Sequence, residues 1–119
     1  MSLDVDLMVT QPVSIYSGNI THNLGKMASE VKFGIEWTGV EDLSLYDVLW
    51  RPDEHGFETA SDISDLLDIG WNILLSDPEK YKRYNPENGW GSYDGLVSFV
   101  YRYRNACWDN PEAELKISR

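Results

Sequence analysis

The sequence predicts an α+β domain, with an N-terminal β-hairpin and a C-terminal strand forming a small antiparallel sheet packed against three to five helices. Three observations predict it. Apolar and polar residues alternate at both ends of the chain, helical spacing fills most of the interval between, and no linker, internal repeat or low-complexity tract divides the 119 residues. A chain of this length can bury roughly two thirds of its unfolded surface, so one domain needs neither a disulfide nor a metal to hold it.

In the first segment Leu3, Val5, Leu7 and Val9 fall on one side and Asp4, Asp6 and Met8 on the other, the pattern of a half-buried strand. Gln11-Pro12 interrupts it. Val13, Ile15 and Ser17 against Ser14 and Tyr16 resume the alternation, which predicts a hairpin turning at Pro12. From Ile20 the period changes: Ile20, Leu24, Met27, Ala28 and Val31 share a stripe behind Asn19 or Thr21 as N-cap, predicting a helix over 20–32. Residues 33–42 mix Phe33, Ile35 and Trp37 with glycines and acids and read as a loop or short extended excursion. Asp42 is the expected cap of a short helix through Leu43, Tyr46, Leu49 and Trp50. Arg51-Pro52 ends it, because the residue before a proline disfavours the α region.

Thr59 or Ser61 then opens a helix carrying Ile63, Leu66, Leu67, Gly70, Trp71 and Leu74. Asp77-Pro78 caps a short one through Tyr81 and Tyr84, with proline in the first turn where its missing N–H costs nothing. Ser92 caps the last helix, whose buried stripe is Leu96, Val97, Val100, Tyr103 and Cys107, an arrangement in which Arg102 and Arg104 can face water. Asn110-Pro111 stops it. Ala113, Leu115 and Ile117 alternate with Glu114, Lys116 and Ser118 to give the closing strand.

The formal charge of −10 argues against direct binding to nucleic acid or an anionic membrane, since both need a cationic surface. It points to a protein partner with a basic surface, or to solubility alone. A single cysteine, Cys107, excludes an internal disulfide, and neither a signal-peptide pattern nor a run of 18 apolar residues is present, so a cytoplasmic protein is expected. With no CxxC, HxxxH or calcium-loop spacing, no GxSxG elbow and no phosphate-binding GxxxxGK[ST], no metal, cofactor or catalytic residue is assigned. Cys107, on an apolar helical stripe, reads as an inert core thiol.

Asn85-Pro86-Glu87-Asn88-Gly89-Trp90-Gly91-Ser92-Tyr93 is an unusual connector, because turn-forming Asn, Pro and Gly share nine residues with two large aromatics. Trp90 and Tyr93 are either a plug on the core, with Gly89 and Gly91 allowing close approach, or rings offered to a ligand. Lys80, Lys82, Arg83, Arg102 and Arg104 lie in the flanking segments, so exposed rings there can stack on a nucleobase or sugar. Thr21-His22-Asn23 is either a capping cluster or a place where an imidazole meets a ligand. Trp50-Arg51-Pro52 carries the same choice, an Arg stacked on Trp50 being its structural use.

Between Glu41 and Asp68 stand nine acids against the single base Arg51, a local balance of −8. Asp62, Asp65 and Asp68 are spaced three apart on the long middle helix, where like charges repel. That row is either a solvated face or a surface for a basic protein groove.

Asn19-Ile20-Thr21-His22-Asn23-Leu24, Leu49-Trp50-Arg51-Pro52 and the run from Asp77 to Val97 with its Asn-Pro-Glu-Asn-Gly-Trp-Gly-Ser-Tyr-Asp-Gly core resemble a family of short uncharacterised bacterial and phage proteins. The resemblance covers most of the chain, although the segment around 33–45 is longer than the family pattern and the connection between the first two strands is very short. It implies a phage-linked or accessory context and transfers no catalytic role.

Three functions follow as expectations. The first is a small acidic, non-enzymatic binding protein, an accessory or inhibitor that meets a host protein through Asp62, Asp65 and Asp68. The second is a small-molecule domain of nucleotide type using His22, Arg51, Asn88, Trp90 and Tyr93. The third, with least support, is a hydrolase or transferase built on His22 and a carboxylate.

Overall fold

The structure of the protein, a computed structural model, describes residues 2–9, 14–34, 39 and 42–119. The alternation of the first segment becomes β1 (Ser2–Met8), in which Leu3, Val5 and Leu7 are fully buried. β2 (Ser14–Thr21) and β3 (Glu114–Ser118) pair with its two edges, both antiparallel, to give the order β2-β1-β3. Val5 lies opposite Gly18 and Ile117, and Leu7 opposite Tyr16 and Leu115, so these apolar residues of the three strands share one face. The other face carries Asp4, Asp6, Ser17, Asn19 and Lys116. The Pro12 turn, Val13, Ile35, Trp37 and Glu41 lie outside the described residues.

The predicted helix over 20–32 is a correction. Ile20 continues β2, in register with Leu3 and 6% exposed, because a β-branched residue opposite a buried leucine is better placed on a pleated surface than in a helix. A 3₁₀ turn (His22–Leu24) follows, and the helix proper, α1, is only Gly25–Ser29. Leu24, Met27, Ala28 and Val31 are buried as their spacing predicted.

The cap of the next helix also moves. Asp42 sits in the left-handed region (φ 64°), and Ser44 starts α2 (Leu45–Trp50) with a capping box in which Asp47 Oδ2 accepts from the Ser44 backbone N at 2.9 Å. A 3₁₀ turn (Pro52–His55) comes directly after Arg51. Thr59 caps α3 (Ala60–Ser76), Asp77 caps α4 (Pro78–Lys82) by accepting from Lys80 N at 3.2 Å, and Ser92 caps α5 (Tyr93–Asp109) by accepting from Gly95 N at 3.1 Å.

α3 and α5 are the two long helices, and they pack on each other. Ile63, Leu67 and Leu74 from α3 and Leu96, Phe99, Val100, Tyr103 and Cys107 from α5 join the sheet's apolar face in one core. α5 comes close to β2. A Cβ at Gly18 would stand 3.2 Å from Phe99 Cε1, so the bare backbone there admits the ring. β3 is fastened twice, to β1 and to the entrance of α3, where Leu115 N donates to Glu58 O and Ala60 N to Ala113 O, both at 2.9 Å.

Candidate functional site

The glycine-aromatic loop divides its two rings between inside and outside. Tyr93 is 5% exposed, its hydroxyl donates to Leu74 O at 2.6 Å, and its backbone N donates to Asn85 Oδ1 at 2.8 Å. Burial raises its pKa, with Asp94 adding to the effect. Tyr93 is thus a plug, and its phenol is engaged within the fold. Trp90 is 70% exposed. Its backbone N donates to Asn88 Oδ1 at 2.9 Å, so Asn88 shapes the turn that projects the ring. Gly91 has φ 104°, and a Cβ there would come within 2.7 Å of Thr21 Cγ2 and 2.9 Å of Leu24 Cγ. The loop is therefore pressed onto the turn that carries His22. Gly89 has open space where a Cβ would lie, so close approach belongs to Gly91 alone.

His22 forms a wall shared by two cavities. One, of about 410 Å³, is lined by His22, Tyr46, Trp50, Arg51 and Arg119. The other, of about 640 Å³, is lined by Ser2, Asn19, Thr21, His22, Asn23 and Trp90. Of the predicted ligand set, His22 thus meets Arg51 on one side and Trp90 on the other, while Tyr93 and Asn88 line neither cavity. The His22 ring meets Trp50 edge-on, with centroids 6.1 Å apart, and its Nε2 is buried with no hydrogen-bond partner among the described residues.

Both arginines of the smaller cavity already hold carboxylates. Arg51 Nη1 lies 3.2 Å from Glu54 Oε2, and Arg119 grips Asp53 at 2.8 and 3.2 Å. The Arg119 contact also holds the Asp53 carboxyl below its usual range. Trp50 stacks on Tyr46, at 5.2 Å and 11°, rather than on an arginine. The imidazole–carboxylate pair among the described residues is His55 with Asp47 at 3.5 Å, and the second oxygen of Asp47 is held by the Ser44 cap.

The three acids of the row have different surroundings. Asp62 closes its own helix entrance, its Oδ2 accepting from the backbone N of Glu58 (2.8 Å) and Thr59 (3.0 Å), contacts that lower its pKa. Asp68 pairs with Arg104 Nη1 at 2.9 Å. Asp65 is exposed and makes no ion pair among the described residues.

Arg104 is the larger departure from expectation. Predicted to face water, it is 8% exposed and lies between Trp71, Tyr101 and Trp108, with its guanidinium carbon 4.6, 4.9 and 4.5 Å from their ring centroids. Asn105 Oδ1 accepts from its Nε and Nη2 at 3.2 and 3.0 Å. A guanidinium can leave water here because its charge meets a carboxylate, an amide oxygen and three π faces together. Two of the rings remain accessible, Tyr101 at 44% and Trp108 at 47%, while Trp71 is half-buried; Leu75 of α3 is 42% exposed. Together the three rings form an aromatic platform contributed by α3 and α5.

Cys107 is fully buried, and burial pushes its thiol up to about 12, which makes it unreactive near neutrality. Among the described residues no three His, Cys, Asp or Glu side chains are grouped to hold a metal, and no helix is long and apolar enough to cross a membrane.

The fold is an α+β arrangement in which the cavities around His22 and the aromatic rings on α3 and α5 are open to solvent. No family model matches the chain, and comparison with curated proteins and with solved structures finds no match.

The composition of these surfaces was partly hidden in the sequence. Tyr101-x-x-Arg104-x-x-x-Trp108 has the i, i+3, i+7 spacing that puts two rings and a cation on one helix face, a signal present in the sequence. Arg119 and Ser2 reach their cavities through sheet pairing and had no local signal.

Proposed function

We propose that the protein is a small acidic binding module that docks a basic protein partner on the α3–α5 platform, with Trp71, Tyr101 and Trp108 as the apolar centre and Asp65 on the rim. The observation that carries this reading is the aromatic cradle around Arg104. Trp, Tyr and Arg are the side chains that dominate binding energy at protein interfaces, and rings already fixed by an internal cation lose little freedom on docking. The chain's charge of −10 favours encounter with a cationic surface, an attraction weakened as salt shortens the screening length to about 8 Å. In the phage-linked context expected from the sequence, such a module would be an accessory or inhibitor acting on a host protein.

Affinity capture from bacterial lysate at low salt tests it, with wild type and the Tyr101→Ala/Trp108→Ala double variant side by side. A protein retained by wild type, released by added salt and lost with the double variant is the expected result. Equal retention by the double variant overturns the reading.

A further inference from the structure

The cavity beside Trp90 differs in chemistry from its neighbour across His22. Its lining is an exposed indole, two carboxamides, two hydroxyls and an imidazole, with no Arg, Lys, Asp or Glu. The polar groups are already oriented. Asn19 Nδ2 donates to Ser2 Oγ at 2.8 Å and to Asp4 Oδ1 at 2.6 Å, which commits both amide hydrogens and leaves its Oδ1 with no partner among the described residues. Ser2 Oγ accepts from Asn19, and Thr21 Oγ1 accepts from Asn23 N at 3.3 Å, so both hydroxyl protons remain for donation. The Asn23 side chain is exposed, with no hydrogen bond among the described residues. The wall therefore offers both unpaired donors and unpaired acceptors.

Charge decides which ligand suits it. A phosphate or carboxylate would enter a cavity without a cation, next to Asp4 on a chain of charge −10, while Arg51 and Arg119 stand on the far side of His22 and are engaged by Glu54 and Asp53. A neutral ligand with many hydroxyls meets none of these penalties. It brings both donors and acceptors for Ser2, Asn19, Thr21 and Asn23, and the C–H face of a sugar ring can cover the exposed indole. About 640 Å³ is also within the usual range for small-molecule sites. We propose that this cavity is a saccharide site, with Trp90 as the stacking platform and Asn19 and Asn23 reading ring hydroxyls. It is independent of the partner surface on the α3–α5 platform.

The test is ¹H–¹⁵N NMR titration of the ¹⁵N-labelled full chain, watching the Trp90 indole N–H together with the backbone amides of Asn19, Thr21 and Asn23, which also report on variants lacking the indole. The probes are glucose, galactose, mannose and N-acetylglucosamine, a trisaccharide of each, and AMP as the anionic contrast. At least one saccharide should shift the Trp90 resonance saturably. Trp90→Ala and Asn23→Ala, both at exposed positions, should weaken that binding about tenfold or more, whereas Trp108→Ala should leave it unchanged. Tighter binding of a trisaccharide than of its monomer would identify a glycan chain as the source, and equal binding a free sugar. Absence of any saccharide shift, a response to AMP alone, or full affinity in Trp90→Ala would each overturn the proposal.

Discussion

Gly89 and Gly91 both adopt positive φ, 76° and 104°, yet they differ in what surrounds them. At Gly89 a methyl group meets nothing within 4 Å; at Gly91 it meets Thr21 and Leu24 below 3 Å. Gly89→Ala should cost only the left-handed strain, about 1 kcal/mol, and Gly91→Ala that strain plus the clash, about 3 kcal/mol. Urea unfolding of the two variants measures the difference. Equal costs would mean that the loop is not seated on the His22 turn. The sequence made the loop's importance legible through its glycines and rings, but not which ring turns inward. Tyr93 is drawn in by the Leu74 carbonyl, nineteen residues earlier in the chain, a partner that local patterning does not reveal.

At the scale of elements, α3 was legible because its cap, its apolar stripe and its length agree. The entrance of that helix also sets a pH dependence. The backbone N–H groups of Glu58 and Thr59 hold Asp62 ionised below its usual range, so the native state binds its proton less readily than the unfolded chain. This contribution is fully present above the unfolded pKa, about 4, and disappears as pH falls through the lower native value. Asp62→Ala should lose about 1 kcal/mol at neutral pH and show a shallower decline on acidification, read by chemical denaturation between pH 7 and 3. A parallel decline in both proteins would rule this out. The helix expected over 20–32 illustrates the opposite case. Ile20 and Leu24 fit a helical stripe, but pairing with Leu3 is a tertiary fact, and it claimed Ile20 for the sheet. Likewise the Asp42 cap lost to Ser44, whose Asp47 three residues on completes a capping box visible in the sequence.

Across the whole molecule, alternation at both ends made the sheet and the α+β class readable, while the charge pattern was a poorer guide. Several acids of the 41–68 stretch have partners within the fold: Asp47 and Asp62 cap helices, Glu54 holds the nearby Arg51, and Asp53 and Asp68 hold the sequence-distant Arg119 and Arg104. Net charge counts such residues alongside free ones, so a row of acids in sequence need not be a row on the surface. The aromatic cradle escaped for a related reason, since an arginine on a helix defaults to solvent unless the rings and carboxylate that receive it are known to converge.

The pairing of Asp4 with Ser118 joins opposite ends of the chain and bears on how the protein reaches its native state. Such remote closure slows folding, so refolding on a timescale of about milliseconds to seconds is expected rather than microseconds. Ile117→Val should mainly raise the unfolding rate and leave the refolding limb of a chevron plot in place; a slower refolding limb would show that β3 joins early. During synthesis on the ribosome, then, β1 must wait for its second neighbour with one row of amides and carbonyls uncovered. Asp4 and Asp6, projecting from that waiting strand, make it a poor template for a second nascent copy, because like charges stacked across a new sheet would repel.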